Sequence, residues 1–72
     1  MHQDDLIKQL KERREMLKVT QETLAELSSV GLRTLKQIES NKGNPTLLTL
    51  KKLADVLGME INLQVKKLNE SK

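Results

Sequence analysis

Arg33 and Gln37 stand four residues apart, about one turn of a helix, and both carry planar groups that form hydrogen bonds in pairs. A guanidinium can grip guanine O6 and N7 together, and a primary amide can pair in the same way with adenine. Each such pair contributes roughly 1–3 kcal/mol of discrimination between bases. The charge around them is uneven. Residues 30–52 hold five Lys/Arg against one acidic residue, Glu39, a net of +4. Residues 1–29 hold five against six, and residues 53–72 hold three against three. The positive excess of the chain therefore lies around Arg33 and Gln37, where phosphates would lie if this stretch binds DNA; a solvated basic surface carries the same charge.

Other chemistries have little to work with. The one histidine, His2, belongs to the N-terminal tail, and cysteine is absent. No phosphate-cradling glycine loop or paired metal-ligand motif occurs. Met1, Met16 and Met59 read as initiator and core filler. No catalytic residue, metal site or cofactor is expected, and the chain does not read as an enzyme.

Size sets a second bound. The 72 residues make one small domain, which buries only about 60% of its unfolded surface. Phe, Tyr and Trp are absent, so the core is aliphatic. A small core without disulfides or metal often gains stability by oligomerising, and a homodimer is the physical expectation. No apolar run approaches the ~20 residues of a membrane span. The start, MHQDDLIKQL, is acidic where a signal peptide would be basic and then apolar. A cytoplasmic protein with no membrane partner is expected.

The elements that must position Arg33 and Gln37 follow from period and punctuation. Asp4–Leu17 reads as helix 1, with Leu6, Ile7, Leu10 and Leu17 as its apolar stripe. Thr20 can cap helix 2, which runs to about Leu27 with Leu24 and Leu27 apolar. Ser28, Ser29 and Val30 form a turn. Helix 3 spans roughly Gly31–Ser40 with Leu35 and Ile38 inward, and Asn41 suits the left-handed residue that ends it. After Asn44-Pro45-Thr46, helix 4 runs to Leu57 on Leu47, Leu50, Leu53, Ala54 and Leu57, and Gly58 stops it. The stretch Thr20–Pro45 thus has the sequence form of a helix-turn-helix, a device for laying a helix into the major groove.

From Met59 the period becomes two. Met59-Glu60-Ile61-Asn62-Leu63-Gln64-Val65-Lys66 alternates apolar and polar residues, the pattern of a strand. A single strand leaves its backbone groups unpaired, and no second strand is visible. Pairing with the same strand of another copy would set Ile61, Leu63 and Val65 against the helices or the partner. Residues 1–66 then form one domain with a dimerisation strand at 59–66, and residues 67–72 a disordered tail.

TQETLA, the turn at Val30, LKQIE and NKGNP, followed by TLKKLADVLG, resemble the Cro/C1-type (Xre) helix-turn-helix family over about residues 6–58. Within it, LAELSSVGLRTLKQIES and NPTLLTLKKLADVLG with a terminal strand are similar to HipB-like antitoxins. The resemblance implies a mainly α, compact four- to five-helix, lambda-repressor-like domain whose C-terminal β-strand pairs across a homodimer. Three positions depart from the pattern. Asn41 and Ser29 stand where the family favours glycine, and Leu32 where many members carry a polar base reader.

The resemblance also assigns roles. Helix 3 becomes the recognition helix, with Leu32, Arg33, Thr34 and Gln37 at the base-facing positions and Lys36 beside them on phosphate. Leu32 can touch a thymine methyl or simply pack. Gln21 at the start of helix 2 and the loop of Lys42, Gly43, Asn44 and Thr46 match phosphate contacts. Arg14 and Glu39 match a structural ion pair between helices 1 and 3. The implied partners are double-stranded DNA with a palindromic operator, a second copy, and a HipA-like kinase toxin. The implied function is a sequence-specific repressor, the antitoxin of a HipBA-like system that controls its own operon. Two alternatives remain: a protein-interaction module on the same scaffold, suggested by an exposed Leu32, and a phage-type lysogeny regulator.

Overall fold

The computed structural model describes residues 3–62. They form four helices: α1 (Gln3–Met16), α2 (Gln21–Ser28), α3 (Leu32–Glu39) and α4 (Leu47–Val56). Local chemistry sets most of the boundaries. Thr20 and Thr46 are extended residues whose Oγ1 accepts from the backbone N–H three positions on, Thr23 and Thr49, at 3.0 and 3.1 Å. Substituting such a cap costs about 1 kcal/mol. α3 begins at Gly31 with no side-chain cap.

Three helices end in the same way. After α1, Val19 N donates to Arg14 O and Lys18 N to Glu15 O. After α3, Lys42 N donates to Gln37 O and Asn41 N to Ile38 O; after α4, Met59 N donates to Ala54 O and Gly58 N to Asp55 O. These paired bonds close a Schellman motif around one left-handed residue. That residue is Lys18 (φ 59°), Asn41 (φ 61°) or Gly58 (φ 71°). α2 ends on Ser29, also left-handed at φ 62°.

The core gathers Ile7 and Leu10 of α1, Leu24 and Ala25 of α2, Val30, Leu35 and Ile38 around α3, and Leu50, Leu53, Ala54 and Leu57. α2 packs on α3 and α4, and α1 packs on α3. Leu24, Leu35, Leu53 and Leu57 are fully enclosed. Burying each contributes about 1.5–3 kcal/mol.

Three leucines placed in apolar stripes by spacing lie outside this core. Leu17, Leu27 and Leu47 are exposed, as are Met16 and Leu48.

Among the described residues there is no strand, and 59–62 carry no regular secondary structure. The alternation survives as burial: Met59 and Ile61 pack against the core, while Glu60 and Asn62 face solvent. Leu63, Val65 and the segment 67–72 lie outside the described residues. No helix among those described is long and apolar enough to cross a membrane.

Candidate nucleic-acid interface

α3 is the most strongly two-sided helix of the fold. Leu35, Ile38 and Glu39 turn inward. Arg33, Thr34, Lys36 and Gln37 are exposed. Their spacing dictates the split, because residues 35, 38 and 39 share one face of a 3.6-residue period. Anchored by two enclosed aliphatic side chains, α3 presents its polar face on a rigid support.

An open groove of about 550 Å³ runs along that face, lined by Leu32, Arg33, Lys36, Gln37, Ser40 and Lys42. Arg33 and Gln37 therefore share a groove with Lys36 and Lys42. Thr34 does not line it; its Oγ1 sits 3.8 Å from where a Cβ on Gly31 would stand. Leu32 is half-buried and packs against the core, so only part of it faces the groove. Ser40 Oγ donates to Gln37 O at 3.1 Å within the last turn.

Below α3 lies a charged knot. Arg14 Nε donates to Glu39 Oε2 at 2.7 Å and Nη2 to Glu39 Oε1 at 2.8 Å. Arg14 Nη1 donates to Val19 O at 2.7 Å. Both side chains are largely enclosed, with 11% of Arg14 and 6% of Glu39 exposed. The hydrogen bond to Glu39 raises the Arg14 pKa above its ordinary value, against partial desolvation, which lowers it. An arginine whose pKa is raised on folding adds stability below its unfolded pKa and loses it only above the folded one. That window lies far above neutral pH, so the pair holds throughout the physiological range on the arginine side.

Gln21 joins this knot. Its Nε2 donates to Glu39 Oε1 at 2.9 Å. As the first residue of α2, it also carries one of the backbone N–H groups that the helix leaves without an internal acceptor.

The loop after α3 is exposed at Lys42, Gly43 and Asn44. Gly43 takes φ +84°, and a Cβ there would meet nothing within 4 Å. Its glycine answers to backbone conformation, with open space above it. Thr46 is exposed, and its hydroxyl is engaged by the α4 cap and by Thr49 Oγ1 at 3.0 Å.

Three contacts escaped reasoning from spacing. Ser28 is buried, and its hydroxyl donates to Ala25 O and accepts from Val30 N, both at 3.3 Å, which shapes the α2–α3 turn. Arg13 Nε donates to Leu57 O at 3.0 Å and so ties α1 to the end of α4. The Gln21–Glu39 bond joins residues 18 apart. A serine beside a small residue in a tight turn was a signal for the first; the other two had none.

Among the described residues no group of acidic, His or Cys side chains could hold a metal ion. What this surface offers is hydrogen-bond donors and positive charge on a braced helix.

No curated protein matches the chain. The sequence profile of the family described as helix-turn-helix matches residues 10–64, most of the chain. With four helices, a tight α2–α3 turn and a polar α3 face, the chain belongs to the helix-turn-helix family of the Cro/C1 (Xre) type, whose domains are DNA-binding regulatory modules.

Proposed function

We propose that this DNA-binding regulator is a sequence-specific transcriptional repressor that acts as a homodimer on a palindromic operator. The observation that supports it most is the exposed groove along α3, where Arg33, Gln37, Lys36 and Lys42 converge over a buried brace. In this reading α3 enters the major groove. Arg33 and Gln37 read base edges, with Thr34 beside them and Leu32 contributing a methyl contact from its exposed part. Gln21, Lys36, Lys42, Gly43, Asn44 and Thr46 hold phosphates and set register. Two copies joined through Ile61, Leu63 and Val65 would read half-sites about one helical turn apart.

The narrower part of the proposal is an antitoxin role with a HipA-like kinase toxin. It rests on the likeness of the LAELSSVGLRTLKQIES and NPTLLTLKKLADVLG segments to HipB-like antitoxins. The interaction-module alternative rests on an exposed Leu32; Leu32 is half-buried, with part of it packed against the core and part lining the groove.

The test is binding to the DNA upstream of the gene across a range of salt. The proposal expects affinity to fall steeply with salt and to be lost on Arg33→Ala. Absence of binding at low salt would remove the repressor reading. Purification of the native complex tests the antitoxin role, and recovery of the chain without a kinase-like partner counts against it.

A further inference from the structure

A second depression adjoins the α3 groove. It holds about 270 Å³ and is lined by Asp5, Ile7, Lys8 and Lys11 of α1 with Glu39 and Asn41. The two lie side by side at the end of α3, where Ser40 and Lys42 line the groove and Asn41 between them lines the depression. Charge sets this pair of sites apart from the rest of the surface. Residues 3–62 carry ten Lys and Arg side chains. Arg14 is bound to Glu39, Lys51 to Asp55, and Arg13 to the Leu57 carbonyl. Among the described residues the other seven have no ion-pair or hydrogen-bond partner. Five of them, Lys8, Lys11, Arg33, Lys36 and Lys42, line these two sites, and only Lys18 and Lys52 stand elsewhere. On the acidic side Glu39 is neutralised by Arg14, which leaves Asp5 alone against five cations.

We propose that Lys8 and Lys11 form a second phosphate-contacting surface, on α1, which takes the DNA backbone running past the end of α3. The inference goes beyond the site on α3 and rests on α3 being the helix that enters the major groove. In a helix-turn-helix the first residues of the reading helix meet the base edges, so its far end lies toward the rim of the groove, where phosphates run. Lys8 and Lys11 share the depression that adjoins that end, and their spacing of three puts them on one face of α1. An ammonium on a flexible stem suits a phosphate, because a point charge needs no fixed geometry. Such contacts add affinity and salt dependence and carry no sequence information.

The probe is a mixed-sequence DNA duplex of roughly 30 base pairs, because phosphate contacts are independent of sequence. Affinities of the full chain are measured over a salt series for wild type, for Lys8→Gln with Lys11→Gln, and for Lys18→Gln with Lys52→Gln, each corrected for its folded fraction. Both double variants remove two exposed charges, so the difference between them reports position and not net charge. The Lys8/Lys11 variant should lower the dependence of log affinity on log salt by about two and weaken binding at least about tenfold near about 0.1 M salt. The Lys18/Lys52 variant should leave that slope nearly unchanged. A wild-type slope in the Lys8/Lys11 variant, or equal losses from the two variants, would overturn the proposal and leave the α3 site intact. Wild type that fails to bind any duplex at low salt would end the DNA-binding reading, and the second surface with it. Asp5→Asn tests the same place without a loss of function. Removing the unpaired carboxylate of the lining should tighten binding by about twofold at low salt, where charges act over roughly 10–30 Å. Unchanged affinity would put the depression out of reach of the DNA and overturn the proposal.

Discussion

Arg14 grips both oxygens of Glu39, at 2.7 and 2.8 Å, and so ties the last turn of α1 to the last turn of α3. The pair lies directly beneath the helix whose opposite face carries Arg33 and Gln37. With 11% and 6% of the two side chains exposed, it is enclosed enough that neither charge can be left alone cheaply.

Removing one partner is therefore expected to be severe. Arg14→Ala should cost about 3–5 kcal/mol, because Glu39 would stay buried without its guanidinium. A domain of this size has roughly 5 kcal/mol in total, so urea unfolding should show a largely unfolded chain. A loss under about 1 kcal/mol would mean that the site opens to water and that the pair is not a brace.

Two left-handed residues should respond differently to glycine. Ser29 and Asn41 hold φ of 62° and 61°. A left-handed conformation costs an ordinary side chain roughly 1–2 kcal/mol, and glycine gives back about 0.5–1 kcal/mol through its freer unfolded state. Ser29→Gly should thus stabilise by about 0.5 kcal/mol, and Asn41→Gly by less, because asparagine tolerates that region. Thermal melts of the two variants check the order; a destabilised Ser29→Gly would contradict it.

Ser28→Ala should cost about 1–3 kcal/mol despite removing a single oxygen. Its hydroxyl is the acceptor for Val30 N in a buried turn, and that N–H would lose its partner. Ser29→Ala, one residue further on, is the comparison, since Ser29 is exposed. Amide exchange at Val30 should accelerate in Ser28→Ala alone.

Leucines of the same helix should separate by burial. Leu53→Ala is expected to lose about 2–5 kcal/mol, because Leu53 is enclosed by all its neighbours. Leu48→Ala, on the same helix and exposed, should change stability by about 0.5 kcal/mol or less. Comparable losses from chemical denaturation would show that the exposed face is covered in solution.

On DNA, Gln37→Ala should relax preference at one base position and cost roughly 1–3 kcal/mol on the preferred site alone. Lys42→Ala should weaken binding to all sequences alike and reduce the dependence of log affinity on log salt by about one. Binding selections with a randomised duplex and a salt series separate the two. Interchanged behaviour would reverse the assignment of reader and anchor.

The helices were legible because their boundaries are local. A threonine three residues before the N–H it caps, or a left-handed asparagine after a final turn, acts within a few residues of chain. Thr20, Thr46, Asn41 and Gly58 therefore mark starts and stops that hold in the folded protein. Helical spacing also identified Leu24, Leu35, Leu50, Leu53 and Leu57 as apolar positions. It could not tell them from Leu17, Leu27 and Leu47, which have the same spacing and face solvent. Periodicity says which residues share a face, and only the neighbouring helices say how far that face is covered.

The sequence alone determined a mainly α chain with a tight turn between two short helices, and a concentration of positive charge beside Arg33 and Gln37. These are properties of composition and of contacts within a turn or two. The tertiary structure decided what meets across the chain. Arg14 finds Glu39 over 25 residues, and Arg13 finds the Leu57 carbonyl over 44. Spacing carries no information about such pairs; only the family resemblance implies the Arg14–Glu39 match. The bond from Gln21 to Glu39 exists because α1, α2 and α3 converge on one buried carboxylate, and that convergence is set by how their apolar faces pack.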